Sequence, residues 1–177
     1  MNKLVTVIIP VYNGENFIEE AINCIEKQSY SNIELIVVDD GSTDNTGKIV
    51  SLHKSVKYIR KSNGGVSSAL NMGIRNSKGD FIIWLSHDDL LTTKSIEKKL
   101  SYYLKISKKD EKYIVGSRCG FINEIGTPIL KFNFLKKNIF TLGDLFFNRV
   151  YGCSLLIPKN LFQEVGFFNE QMRYSQD

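Results

Sequence analysis

Asp88 and Asp89 follow the apolar run Phe81-Ile82-Ile83-Trp84-Leu85, with only Ser86 and His87 between. A buried strand that ends on adjacent carboxylates gathers mutually repelling negative charge at one point. A divalent cation such as Mg²⁺ or Mn²⁺ answers that repulsion, because it takes hard oxygen ligands and often uses one or two carboxylates plus substrate phosphates. The same residues also suit a simpler role, capping a strand or opening a turn. A second pair, Asp39-Asp40, closes the run Ile33–Val38 and leads into Gly41-Ser42. A third segment, Asn63-Gly64-Gly65, combines small residues that let backbone approach a ligand closely or simply enter a helix.

These segments need elements to hold them. Val5 to Pro10 is a continuous apolar run and reads as a buried strand. Phe17, Ile18, Ala21, Ile22 and Ile25 then recur at helical spacing. Ile33–Val38 is the second strand, and a short helix follows from Asp44 to His53 with Ser42 or Thr43 as N-cap. Val56–Lys61 is the third strand, Asn63 to Ile74 a helix, and Phe81–Leu85 the fourth strand. Strands separated by single helices imply right-handed crossovers and a mostly parallel α/β sheet with helices on both faces. Ligands of such sheets bind beyond the carboxyl ends of the strands. Tyr12, Asp39-Asp40, Asn63–Gly65 and Asp88-Asp89 all lie at such ends, so the topology brings them to one rim. That convergence favours the metal reading over the turn reading.

The second half is less regular. Ile96, Leu100, Tyr103 and Leu104 form the apolar stripe of a helix expected to face the core. Tyr113–Ser117 reads as a strand, and Phe121–Asn123 with Ile129–Phe132 as a hairpin. A short helix is expected over Thr141–Asn148, then a strand over Gly152–Ile157, with Pro158 at a helix start.

The chain of 177 residues reads as one domain, cut short after Asp177. Hydrophobic content of 42% and charged content of 24% are ordinary for a soluble globular protein, and no apolar run is long enough to span a membrane. The opening residues lack the form of a secretory signal. Three widely spaced cysteines, Cys24, Cys119 and Cys153, fit reduced thiols in a cytoplasmic protein, and two histidines are too few for a histidine metal cluster. The net charge of +4 is concentrated in Lys94, Lys98, Lys99, Lys105, Lys108, Lys109 and Lys112, with Lys131, Lys136 and Lys137 beyond. A solvated helix face explains most of it; peripheral contact with an anionic membrane face or a phosphate-bearing substrate is the functional alternative. No nucleic-acid motif accompanies the charge.

Taken in order, Val7–Asn13 with Glu15, Gln28-Ser29-Tyr30, Ile33–Asp44, then Asn63, Gly65, Ala69, Asn71, Gly73, Gly79-Asp80, Asp88-Asp89 and Glu164–Glu170 resemble the family-two inverting glycosyltransferases of the GT-A type over essentially the whole chain. The resemblance implies a nucleotide-diphosphate sugar donor, most simply a UDP-sugar, with Mn²⁺ or Mg²⁺, and a glycan or lipid-linked glycan acceptor in cell-surface polysaccharide synthesis. It puts Pro10, Tyr12, Asn13 and Glu15 beside the nucleoside, with Tyr12 stacked on the base. Asp39 and Asp40 would divide between contacting base or ribose and capping the following turn. Asn63 and Gly65 would line the donor, Asp89 would ligate the metal, and Asp88 would contact metal, ribose or sugar. Asp177 falls where the family places its general base, which takes the acceptor hydroxyl's proton. Two positions depart from the pattern: Ser86 and Gln176 stand where acidic residues are usual. They leave room for a catalytically silent nucleotide-sugar-binding domain. A dinucleotide-binding oxidoreductase shares the βα alternation, but Val11–Glu15 stands where its glycine motif belongs.

Overall fold

The computed structural model describes residues 2–107, 113–117, 119–123, 125–130 and 152–172. Strand β1 (Val5–Val11) is central and pairs in parallel with β2 (Ile33–Asp39) on one side and β4 (Phe81–Trp84) on the other. Beyond β2 lies β3 (Val56–Arg60), also parallel, and beyond β4 lies β7 (Ile157–Pro158), antiparallel. The order is β3-β2-β1-β4-β7. The register Val5↔Ile33 through Val11↔Asp39 brings the ends of β1 and β2 level. Two-residue alternation splits the strand side chains between two cores. Val5, Val7, Ile9, Val11, Leu35, Val37 and Ile83 pack on α1 (Ile18–Glu26), α2 (Thr46–Ser51) and α4 (Ser95–Ile106). Ile8, Ile36, Val38, Ile82 and Trp84 pack on α3 (Val66–Asn76) and α5 (Leu161–Val165). Helices therefore cover both faces, and the continuous apolar strands reflect burial on both sides. Gly73 permits the close seat of α3, since a Cβ there would lie 2.5 Å from Ile8 Cγ2.

The second half corrects several expectations. Between Tyr113 and Ser117 only Val115 bridges, to Leu156. Gly152–Ser154 is a 3-10 turn rather than strand, because Gly152 presses on Trp84, where a Cβ would come within 2.3 Å. Pro158 belongs to β7, at the sheet edge where its missing N–H costs no ladder bond. The hairpin forms as β5 (Phe121–Ile122) and β6 (Pro128–Leu130). On α4, Ile96 and Leu100 are fully buried but Leu104 is exposed. Lys99, expected on a solvated face, is only 3% exposed. Neither Ser42 nor Thr43 caps α2; its N-cap is Asn45, and the Asp44 carboxylate instead accepts from Thr46 N–H and hydroxyl. The expected helix over 141–148, Lys108, Lys109, Lys112, Lys131, Lys136, Lys137 and Asp177 lie outside the described residues. No helix among the described residues is long and apolar enough to cross a membrane.

Candidate functional site

The carboxyl ends of β1, β2 and β4 and the entry to α3 enclose a hollow of about 380 Å³. Pro10, Val11 and Tyr12 line it from β1, Asp40 from β2, Asn63, Gly65, Val66 and Ala69 from the α3 entry, and Ser86, His87 and Asp88 from β4. A larger hollow of about 520 Å³ lies at the opposite, amino ends, near Lys3, Asp80 and Lys159. There Lys3 is paired with Asp80, and Lys159 donates to the Ser77 carbonyl. The chemistry-bearing residues gather instead at the carboxyl rim, where open parallel sheets bind ligands.

Asp39 and Asp40 adjoin in sequence but have separate tasks. Asp39 is 0% exposed. Its Oδ1 accepts the Ser42 N–H at 2.7 Å and its Oδ2 accepts the Tyr58 hydroxyl, with Arg60 Nε at 4.0 Å. Burial raises its pKa, but hydrogen bonds from Tyr58 and Ser42 and the Arg60 charge outweigh burial and hold it below the ordinary value. Burial and the same carboxylate push Tyr58 up to about 12. Asp39 thus locks the turn after β2. Asp40 reaches the other way. Its Oδ1 pairs with Lys61 Nζ at 2.6 Å, and its oxygens accept the Gly64 N–H at 3.0 and 3.1 Å and the Gly65 N–H at 2.7 Å. It shapes the Asn63–Gly65 loop and also lines the hollow. Gly65 has φ of 86°, a left-handed conformation that costs glycine little.

Asn13 and Glu15 are engaged within the protein. Asn13 N–H donates to Ser42 Oγ at 2.9 Å, and Asn13 Oδ1 accepts the Thr43 N–H at 2.8 Å. Glu15 N–H donates to Asp44, while Glu15 Oε2 accepts the Asn45 backbone and side-chain N–H, each at 2.9 Å. Gly14 N–H donates to Thr46 Oγ1. The loops after β1 and β2 are thereby joined, which fixes Tyr12 at the mouth with 49% of its surface exposed. An aromatic face left half in water and fastened at its base is suited to stacking.

Asp88 is exposed at the edge of the hollow and Asp89 is half-buried behind it, in a turn closed by Asp89 N–H to the Ser86 carbonyl at 3.1 Å. Asp89 also contacts the Cys153 thiol, whose pKa is pushed up by its hydrogen bond with Cys119, by burial and by Asp89. His87 packs on the β1–α1 loop, where a Cβ on Gly14 would meet its ring at 2.7 Å. Among the described residues no three His, Cys, Asp or Glu side chains converge into a metal cage. Two carboxylates at a strand end fit a hard cation that takes its remaining ligands from phosphate and water.

The sequence reading assigned no role to several contributors. Lys61 holds Asp40, and Tyr58 holds Asp39; their signal was only that β3 ends beside β2. Asn71, buried in α3, donates to the Phe168 carbonyl at 2.9 Å and to Glu170 Oε1 at 2.8 Å, and accepts the Phe168 N–H at 3.0 Å. Hydrogen bonds from Asn71 and Ser68 hold Glu170 below its ordinary pKa, aided by Arg75 and Lys61. Phe168 and Glu170 are therefore anchored to α3.

The sequence model described as Glycosyl transferase family 2 matches residues 6–163. A glycosyltransferase of Rickettsia typhi is 42% identical over 183 residues, covering 98% of this chain and 56% of the relative. The glycosyltransferase GlyG of Streptococcus pneumoniae is 32% identical, covering 96% and 61%. The chain thus spans between half and two thirds of these relatives' length. Among solved structures, Staphylococcus aureus TarS 1-349 in complex with UDP-GlcNAc superposes with a TM-score of 0.81 at 21% identity, covering 98% of this chain and 51% of that one. The mannosyltransferase PcManGT of Pyrobaculum calidifontis, with GDP-Man and Mn²⁺, gives 0.71 at 19% identity, covering 97% and 49%. The fold is that of the GT-A transferases.

Proposed function

The chain belongs to glycosyl transferase family 2, and on that premise we propose that it transfers a sugar from a nucleotide-diphosphate sugar, a UDP-sugar foremost, to a hydroxyl of a glycan or lipid-linked glycan with inversion. The observation that carries this is the hollow bounded by Tyr12, Asp40, Asn63, Gly65 and Asp88 at the carboxyl ends of the parallel strands. Tyr12 offers a face to the base. Asp40, fixed by Lys61 and the Gly64 and Gly65 amides, presents an acceptor edge to a base N–H or ribose hydroxyl. Asp89 and Asp88 would hold Mn²⁺ or Mg²⁺, and the cation would supply positive charge to offset that of the departing nucleotide diphosphate. Asp177 as general base rests on its place in the sequence order. A role in surface-polysaccharide assembly on the cytoplasmic side, with peripheral membrane contact through the lysine-rich segment, completes the reading.

Ser86 and Gln176, where acidic residues are usual, favour one alternative, a domain that binds donor without turnover. Calorimetric titration of UDP with Mn²⁺, with chelator, and with Asp89→Asn tests the donor site. Binding that needs both metal and Asp89 supports it. Absence of binding by UDP, GDP, CDP and TDP alike refutes it. Release of nucleotide from a bound nucleotide-sugar separates transferase from silent domain.

A further inference from the structure

Gln28 and Ser29, at the exit of α1, bind the loop between β4 and α4 that carries Asp88 and Asp89. Helix α1 ends at Glu26, and the Gln28 N–H donates to the Ile25 carbonyl. The Cys24 carbonyl is thereby left to the Gln28 side chain, whose Nε2 donates to it at 3.1 Å. The same Nε2 donates to the Thr92 carbonyl at 3.0 Å, and Gln28 Oε1 accepts the Ile96 N–H at 3.3 Å. Lys94, the N-cap of α4, makes no side-chain cap. Gln28 therefore serves one of the N–H groups that a helix start leaves unpaired. Ser29 adds two bonds. Its N–H donates to the Thr93 carbonyl at 2.8 Å, and its hydroxyl donates to Glu97 Oε2 at 2.6 Å. The Leu91 N–H donates to Cys24 Sγ at 3.4 Å.

The exit of α1 thus grips Leu91, Thr92 and Thr93, just past Asp89. Before the pair, the Leu85 N–H donates to the Ile8 carbonyl at 2.9 Å, and the Asp89 N–H donates to the Ser86 carbonyl at 3.1 Å. The two carboxylates are fixed from both sides, by β1 ahead of them and α1 behind. The stretch 85–94 is loop and turn throughout, so this grip replaces the order that a strand or helix would impose. Adjacent like charges repel, and a loop that carries them needs such anchors to keep one shape.

We propose that Gln28 and Ser29 are positioning residues for the cation site: they hold the loop that presents Asp88 and Asp89, and so set its metal affinity, without touching metal or nucleotide. The inference rests on the donor-site reading above. Removing groups that orient metal ligands from outside costs about 10–100-fold in metal affinity. Gln28 and Ser29 act through the backbone and through partly exposed bonds, which puts the loss at the low end.

Calorimetry of UDP binding over a range of Mn²⁺ concentrations tests this, beside hydrogen–deuterium exchange of the unliganded chain. In Gln28→Met the Mn²⁺ concentration for half-maximal UDP binding should rise about 10-fold, and saturating Mn²⁺ should restore the native UDP affinity. Ser29→Ala, at an exposed position, should move it the same way by less. Ser29→Thr keeps the hydroxyl and should stay near native. Exchange should quicken over 86–93 in Gln28→Met and stay native at Gly64 and Gly65. A merely structural role would lower UDP affinity alike at every Mn²⁺ concentration. That result, or an unmoved half-saturation in Gln28→Met and Ser29→Ala, would overturn the proposal. If Gln28→Met does not fold, Ser29→Ala against Ser29→Thr decides. A native chain that binds no UDP at any Mn²⁺ concentration brings down the donor-site reading and this inference together; native binding with unmoved variants brings down this inference alone.

Discussion

Asp40→Ala should destabilise the domain by about 3 kcal/mol. Its carboxylate is 5% exposed and accepts from Lys61 at 2.6 Å, from Gly65 at 2.7 Å and from Gly64 at 3.0 and 3.1 Å. Hydrogen bonds to a charged group contribute roughly 1.5–3 kcal/mol each, though not additively. Removing one member of a buried ion pair costs about 3–5 kcal/mol, because the other is left uncompensated. Lys61 is 14% exposed and also donates to the Ser62 carbonyl at 2.6 Å, so it keeps part of its solvation and the loss falls at the low end. Equilibrium urea unfolding measures it. Lys61→Met removes the stranded charge, so the double variant should be more stable than the sum of the singles predicts, by about 1–3 kcal/mol. A loss under about 1 kcal/mol for Asp40→Ala, or strict additivity in the double variant, would refute the view that this pair holds the Asn63–Gly65 loop.

Tyr12→Ala should leave the unfolding midpoint nearly unchanged, since half of the ring faces water, yet weaken nucleotide binding by about 1–3 kcal/mol, the usual range for base stacking; calorimetry reads both affinity and its loss. Gly73→Ala should cost roughly 1–3 kcal/mol in urea unfolding through overpacking against Ile8, with no new charge or lost hydrogen bond to blame. Asp39 is held below its ordinary pKa, so its ionised form stabilises the fold fully above about pH 4 and that contribution disappears as pH falls through the lower folded value. Urea midpoints between pH 5 and pH 2 should therefore drop in the native chain and drop less in Tyr58→Phe, which lacks one cause of the shift; equal slopes would count against it.

Sequence alone determined the first half of the fold, because two periodicities carried it. Runs such as Val5–Pro10 and Ile33–Val38 are apolar at every position only when both faces are covered, and helical spacing in Ile18, Ala21, Ile22 and Ile25 supplied the cover. From the alternation of such elements, the gathering of Tyr12, Asp40, Asn63, Gly65 and Asp88 on one rim followed as topology. Tertiary structure decided what each polar residue does once there. Asp39 and Asp40 are adjacent and chemically identical, yet one is sealed beneath the turn by Tyr58 and Ser42 while the other faces Lys61 and the hollow, since successive strand residues point to opposite sides. Asn13 and Glu15 also bind Ser42 to Asn45, some thirty residues away, because the parallel register brings the two loops level. Lys99 reads as a surface charge, but the fold buries it and its ammonium donates to Ser95 Oγ. Patterns of burial are local and periodic, so a sequence shows them; pairings of polar groups are set by contacts between remote segments, and only the folded chain makes those.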